Sequence, residues 1–388
     1  MDPRDNPYSP GAGRRPVALI GREREMTAWD IALTRIADGR GAQSLVLYGL
    51  RGVGKTVLLT QLALMARSQG WYVMGAEARR GQSVREAIGE SVHGLLLEIA
   101  RPGVGQRILK AVKTALSFKA SYDSTGVWHF GLDVTGAEGG GADTGALETD
   151  LGRLILDLTG AAEDKGAGVA LLIDEAQDLA TDELAALLAI VHGANQRGDR
   201  LLVALAGLPS LPRQLSEAKS YAERLFAFHE IAILNRAEAA AVLTEPAEAL
   251  GVRWTTAALE RVTAAAGGYP YFLQEYGQAA WNAADGSPIG DTDARIGIVQ
   301  GRRALDAGFF RIRWERASPA ERAYLRAMAQ DGDGPSLTAQ IATRLKKKPS
   351  ALGPARANLI GKGLVYSPAH GDIAFTVPAM AAFIDVQP

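Results

Sequence analysis

The residues Gly49-Leu50-Arg51-Gly52-Val53-Gly54-Lys55-Thr56 carry the spacing G-x-x-x-x-G-K-[ST]. The chemistry of that spacing is phosphate binding. Glycines let successive backbone N–H groups turn toward one centre, the lysine meets the β- and γ-phosphates, and the final hydroxyl ligates magnesium. Lys55 and Thr56 take those two roles here. Gly49, Leu50, Arg51, Gly52, Val53, Gly54 and Val57 complete the cradle, and ATP with Mg2+ is the expected ligand pair. An apolar run from Ser44 to Tyr48 leads into the loop, and helical periodicity from Thr56 to Arg67 follows it. This order aims a helix N-terminus and its dipole at the phosphates. The alternative, a glycine turn without a ligand, leaves the order unexplained.

Leu171-Leu172-Ile173-Asp174-Glu175 is an apolar strand ending in two acids, the Walker B pattern. Asp174 holds the magnesium shell and Glu175 polarises the attacking water, so the two motifs together predict hydrolysis of ATP to ADP and phosphate. Without the loop upstream, the same pair would read as an acidic helix N-terminus. The five histidines, His192 and His229 among them, show no metal-ligand spacing and receive no catalytic role.

These motifs resemble those of the AAA+ ATPases, above all the branch related to origin-recognition ATPases and the neighbouring STAND-type signalling NTPases. The resemblance runs from about Leu19 to the C-terminus and is strongest at the two motifs above. Leu19-Ile20-Gly21-Arg22-Glu23-Arg24-Glu25 is similar to a box that in this branch lines the adenine pocket, which adds Gly21 and Arg22 to the expected nucleotide-binding set. The same residues also read as a capped helix start. Arg224, within Ser220 to Phe226, stands where the family places an arginine finger that reaches a neighbouring subunit's γ-phosphate. A surface salt bridge is its other reading. Two departures stand out. Leu208 follows the fourth strand where the family shows a polar sensor residue, which implies slow hydrolysis. Gly267 to Phe272 is similar to the lid segment of the signalling branch but lacks an arginine used there as a second sensor, leaving Gly268 and Tyr269 to approach the nucleotide through their backbone.

The elements that must position these groups follow from periodicity. Trp71 to Ala76, Val169 to Ile173, Leu201 to Ala206 and Glu230 to Leu234 read as further strands, with helices over Val84 to Ala100, over Thr181 to Asn195 and near Ala218 to Phe226. The alternation predicts an α/β fold, a P-loop NTPase core with a parallel five-stranded sheet. Residues 101–150 interrupt it as an insertion. There Phe118 to Tyr122 and Val127 to Val134 flank a turn like hairpin strands, with Tyr122, Trp128 and Phe130 packing on their own domain, and Thr135 to Gly145 reads as a flexible tail. From Arg236 to about Gly308 the signals are helical, with breaks at Pro246, Gly251, Gly267-Gly268 and Gly286 to Gly290.

The last segment resembles a winged helix. Helices are expected over Pro319 to Gln330, Leu337 to Leu345 and Ser350 to Gly361, followed by strands at Leu364 to Ser367 and Asp372 to Val377 and a wing at His370-Gly371. Pro354 inside the third helix fits only if it lies in the first turn. Lys346, Lys347, Lys348, Arg356 and Lys362 would meet DNA phosphates, and Arg356 or Asn358 base edges. From Arg311 onward eleven basic residues face six acidic ones, a surplus of five, whereas the whole chain carries −1. That asymmetry points an anionic partner at this end, with double-stranded DNA the partner expected; a surplus of this size is also common on solvated surfaces. The lysine triplet also reads as a solvated turn, and many winged helices contact protein.

At 388 residues with 47% hydrophobic and 22% charged composition, the chain suits two or three soluble globular domains. The absence of cysteine excludes disulfides, thiolate zinc sites and cysteine nucleophiles, and makes a cytoplasmic location the natural one. No apolar run approaches membrane-spanning length. The expected organisation is a flexible tail (1–16), an ATPase core (17–235), a helical lid (236–308) and a winged helix (309–388). The expected function is an ATP-hydrolysing switch that binds DNA, with a homo-oligomer or protein partner and no membrane. The alternative is a STAND-like signalling or scaffold NTPase whose winged helix makes protein contacts.

Overall fold

The computed structural model describes residues 1–11, 13, 16, 19–100, 105–120 and 138–387. After α1 (Glu23–Ala37) come β1 (Ser44–Tyr48), α2 (Lys55–Ser68), β2 (Tyr72–Glu77), α3 (Val84–Ile99), α4 (Gln106–Ala120) and α5 (Leu147–Glu163). Next are β3 (Val169–Asp174), α6 (Thr181–Arg197), β4 (Leu201–Gly207), α7 (Leu211–Ala218), α8 (Ala222–Leu225) and β5 (Phe226–Glu230). The five strands form one parallel sheet in the order β2-β3-β4-β1-β5. Their near-continuous Leu, Val and Ala runs fit burial on both faces, as parallel sheets require. Alternate residues then serve two cores. Leu45, Leu47, Leu202 and Ala204 pack with Trp29, Leu58 and Leu62 on one side. Val46, Leu171, Val203 and Leu205 pack with Ile88, Leu154 and Leu188 on the other.

Several expected elements move. The fifth strand is Phe226–Glu230, because Ser44 to Tyr48 pair with those five residues in register; Ile231 adds one further bond to Tyr48 before the chain departs. The helix expected near Ala218 to Phe226 is instead the two short helices α7 and α8. In the insertion, Phe118 closes helix α4 rather than opening a strand. Ile108, Ala111, Val112, Ala115 and Phe118 form a helical stripe, all buried. The rest of the proposed hairpin, with Tyr122, Trp128 and Phe130, lies outside the described residues. Residues 138–145, expected to be flexible, pack on α4. Gly140 and Ala142 donate backbone N–H bonds to Thr114 and Ser117, and the buried Asp150 accepts from Thr144 and Gly145 and pairs with Arg85 at 2.9 Å.

Beyond the sheet run α9 (Arg236–Glu248), α10 (Thr256–Ala266), α11 (Pro270–Ala283) and α12 (Asp291–Ala304), the last continuing through a π-helical turn into α13 (Arg311–Glu315). Pro246 does not break α9 but sits inside it. A proline there crowds the preceding turn and removes one helix bond. The hydroxyl of Tyr8 donates to the Leu243 carbonyl in that turn. Tyr8 also corrects the expectation of a flexible tail. It is 1% exposed, accepts a bond from Trp254 Nε1 at 2.9 Å and lies edge-on to Trp254 and Trp281. Asn6 adds bonds to Gln278 and Asn282.

The C-terminal part comprises α14 (Pro319–Ala329), β6 (Ser336–Leu337), α15 (Thr338–Arg344), α16 (Gly353–Gly361), β7 (Val365–Tyr366), β8 (Asp372–Phe375) and α17 (Met380–Asp385). Its strands form an antiparallel sheet in the order β6-β8-β7. Pro354 does fall in the first turn of α16, which begins after a 3-10 turn at Pro349–Leu352. The unforeseen α17 buries Phe383 against Phe310, with ring centroids 5.4 Å apart. Among the described residues no helix is long and apolar enough to cross a membrane.

Removing the Tyr8 anchor tests whether the N-terminal segment belongs to the folded unit. Tyr8→Ala is expected to cost about 3 to 5 kcal/mol in urea unfolding, and Tyr8→Phe about 1 to 3 kcal/mol because it leaves the Trp254 N–H unpaired and removes the bond to the Leu243 carbonyl. Unchanged midpoints in both would show that the segment contributes nothing.

Candidate nucleotide site

The loop between β1 and α2 turns sharply enough that only glycine fits at Gly49, where a Cβ would collide with the carbonyl oxygen of Ile231. At Gly52, with φ +85°, a Cβ would stand 2.6 Å from the Tyr269 hydroxyl. Tyr269 precedes α11, so the segment leading into that helix presses directly on the loop. Its hydroxyl is buried and without a hydrogen-bond partner among the described residues, and burial raises its pKa.

Lys55 opens α2 and its Nζ donates to the carbonyls of Gly49 (2.9 Å) and Leu50 (2.7 Å). Burial pushes this ammonium down to about 8, against the pull of Glu175 and Asp174. Thr56 Oγ1 donates to Asp174 Oδ2 at 2.6 Å. Burial also raises the Asp174 carboxyl, opposed by its bonds from Thr56 and from the Glu175 backbone N–H. These hard oxygen donors suit magnesium, which takes one or two carboxylates and leaves other positions to waters and phosphate. Thr56 and Asp174 would hold that ion, and Lys55 with the loop N–H groups would hold the triphosphate.

Glu175 follows β3 in a left-handed conformation, φ 50°. Both of its oxygens are engaged: the Arg51 guanidinium approaches as a fork with two 3.1 Å bonds, and Gln177 Nε2 donates to Oε2 at 2.6 Å. The Gln177 Oε1 in turn accepts from the Leu208 backbone N–H at 2.9 Å. A polar group therefore does connect Glu175 to the end of β4, supplied by Gln177 rather than by the side chain at 208.

Above the loop lies a cavity of about 260 Å³ whose walls include Ile20, Val53, Tyr271, Phe309 and Arg313, with residues 9–11 of the N-terminal segment on one side. Tyr271 and Phe309 stack at 4.9 Å, and Arg313 lies 3.8 Å over the Phe309 ring. Arg22 borders this cavity but is spent on structure. It donates to the carbonyls of Gly21, Val53 and Ala232, tying the loop to the exit of β5. Gly21 packs against Glu238 and Leu234 instead of lining the cavity. Arg224 is exposed on α8, away from the cavity, and its carbonyl accepts from Gln43.

Sequence reasoning missed Arg313, Phe309, Tyr271, Gln177 and the carboxylate-binding role of Arg51. Only Gln177, two residues after Glu175, carried a local signal. The others reach the site by folding.

Residues 18–204 match the AAA ATPase domain family, just under half of the chain, and residues 307–384 match a family described only as a domain of unknown function, DUF8462. No curated protein matches the sequence. Among solved structures, the chain is similar to the Walker-type ATPase PABY2304 of Pyrococcus abyssi (TM-score 0.58, 17% identity, 96% of this chain and 97% of that one). More distant are Cdc6p from Pyrobaculum aerophilum (TM-score 0.48, 15% identity, 99% and 97% covered) and the RuvB Holliday junction branch migration motor of Thermotoga maritima (0.44, 15%, 93% and 95%). At these identities the likeness is one of fold. The chain carries an AAA ATPase domain and is an ATPase.

The buried Lys55 charge has a pH signature. Its folded pKa lies below the unfolded value of 10.5, so folding is penalised below about 8 and the penalty is relieved as pH rises between the two values. Relative to Lys55→Met, the wild type is expected to gain roughly 2 to 3 kcal/mol across that window in urea unfolding. A pH-independent difference would show that the ammonium is not desolvated.

Proposed function

We propose that the protein is an ATP-driven molecular switch in which 17–235 is the catalytic core, 236–308 the lid and 309–388 a winged-helix output domain. The observation that carries this reading is the convergence of Lys55, the Thr56–Asp174 pair and Glu175 at one end of the sheet, beneath a lid that touches the loop through Tyr269. When bound, magnesium would neutralise developing charge on the triphosphate. Lys55 binds the terminal phosphates, Asp174 and Thr56 orient the ion, and Glu175 takes the proton of the attacking water once Arg51 releases it. Arg224 is the candidate finger for a neighbouring copy's site, a role its exposure supports.

Duplex DNA is the proposed partner of the output domain. Support comes from Lys346, Lys347 and Lys348, all exposed after α15. Arg356 and Lys362 are engaged within the fold. Arg356 bonds Ser367 and the Asp372 carbonyl, and Lys362 pairs with Glu321.

ATP turnover by wild type, Lys55→Ala and Glu175→Gln, with and without duplex DNA across a salt series, tests both parts. Glu175→Gln is expected to lose about a hundredfold or more in turnover while still binding ATP, and Lys55→Ala to lose binding. Wild-type stimulation by DNA that weakens with salt supports the DNA role. Full activity in Glu175→Gln would remove Glu175 as the base, and salt-insensitive or absent DNA binding would remove the partner.

One observation favours the STAND-like signalling reading. The Arg51 backbone N–H donates to the Thr376 carbonyl at 2.9 Å while its side chain grips Glu175, so the output domain sits on the residue that restrains the base. Arg51→Ala is then expected to raise basal turnover by roughly an order of magnitude, measured by phosphate release. A fall in turnover with unchanged ATP affinity would show instead that Arg51 serves the reaction.

A further inference from the structure

A second cleft, of about 910 Å³, lies between the sheet domain and the C-terminal part. Arg80 and Arg213 line it from the core side, Arg313 from α13 and Arg316 just after it, and Arg356 from α16. Asp178 is the one carboxylate among its described lining residues. Two further lining cations, Arg51 and Lys362, are paired with Glu175 and Glu321 outside the cleft. Among the described residues Arg80, Arg313, Arg316 and Arg356 have no carboxylate within ion-pairing distance, and Arg213 reaches Glu217 only at 3.8 Å in an exposed pair.

Convergence of several cations on one concave surface is unfavourable by itself, since each like-charge pair repels through the low-dielectric wall. The repulsion is felt: the Arg313 pKa is lowered first by burial and then by Arg51, with Arg316 adding to it. A bound anion removes this cost. Arginines arranged on facing walls are suited to phosphate in particular, because each guanidinium can offer two parallel N–H donors.

The two walls of the cleft meet where Arg80 lies against Gly361 and where Arg51 lies against Gly363. Its volume is within the range of small-molecule sites. Its lining is mainly polar, with Leu208, Ile312, Ile360 and Leu364 as apolar patches and the Tyr366 ring at one edge.

We propose that this cleft binds a compact small molecule carrying several phosphates, clasped between the ATPase core and the C-terminal part beside, and distinct from, the phosphate cradle at Lys55 and Thr56. Arg51 and Arg313 line both this cleft and the nucleotide cavity, so occupancy of one is felt at the other. The proposal does not depend on DNA being the partner of the output domain.

Isothermal titration of the full chain, saturated with ADP at physiological ionic strength, with inositol hexakisphosphate as the probe tests it. Saturable binding is expected, weakened about tenfold or more by Arg80→Gln with Arg316→Gln and retained by Lys346→Gln with Lys347→Gln, which are exposed outside the cleft. Arg316→Gln alone, at an exposed position, serves if the double variant loses its melting transition. Absence of binding, binding that the arginine variants leave unchanged, or binding lost in the lysine variant would overturn the proposal. So would displacement of the probe by short duplex DNA whose own binding the same variants abolish, because the cleft would then be part of a nucleic-acid surface. ATP turnover is read separately, so failure here leaves the ATPase assignment untouched.

Discussion

The hydroxyl of Thr56 and the carboxylate of Asp174 belong to residues 118 positions apart and meet at 2.6 Å. That contact depends on the parallel register of three strands. β1 and β3 both pair with β4, with Leu45 opposite Ala204 and Leu172 opposite that same residue, so the two outer strands end at one level. The loop after β1 and the acids after β3 are thereby delivered to one edge of the sheet. A parallel sheet must be covered on both faces, and two cores cover this one, while at its edge burial lowers the pKa of the Lys55 ammonium.

Around that edge, contacts from distant parts of the chain close the site. Tyr269 reaches Gly52 from the segment before α11, the segment around Ser9 walls the cavity, and Thr376 of the C-terminal part accepts a bond from the Arg51 backbone. Each touches the phosphate loop or its rim. Arg51 concentrates these contacts. Its backbone belongs to the loop and to the C-terminal contact, and its guanidinium belongs to Glu175. The fork geometry fixes the carboxylate in orientation as well as position, which a lysine at that place would not do.

Tyr8 and Pro246 illustrate how local signals mislead. A Pro-, Gly- and Arg-rich beginning reads as unstructured because it lacks a periodic apolar face, yet one tyrosine with two tryptophan neighbours suffices to dock it. Pro246 reads as a helix break because it lacks an N–H, yet the helix continues through it, with the same tyrosine bonding the carbonyl of Leu243 in the preceding turn. Phe118 reads as the start of a hairpin strand because the aromatic residues that follow it mimic strand composition, whereas it ends the apolar helical stripe of α4.

The sequence by itself determined the elements whose chemistry is local. The phosphate loop needs glycines, a lysine and a threonine in consecutive order, and a strand ending in Asp174-Glu175 needs only its own apolar run and burial, so both elements were legible. Four of the five core strands were placed to within a residue or so for the same reason: their apolar runs have no other way to be satisfied. Tertiary structure decided the rest. Which carboxylate Arg51 holds, why Gln177 rather than residue 208 supplies the polar link to β4, that Arg22 ties backbone carbonyls together, and that Arg80, Arg316 and Arg356 face one cleft are facts of proximity between residues far apart in the chain. No spacing or periodicity encodes them, because a side chain's partner across a fold is set by how the elements pack and not by the residues beside it.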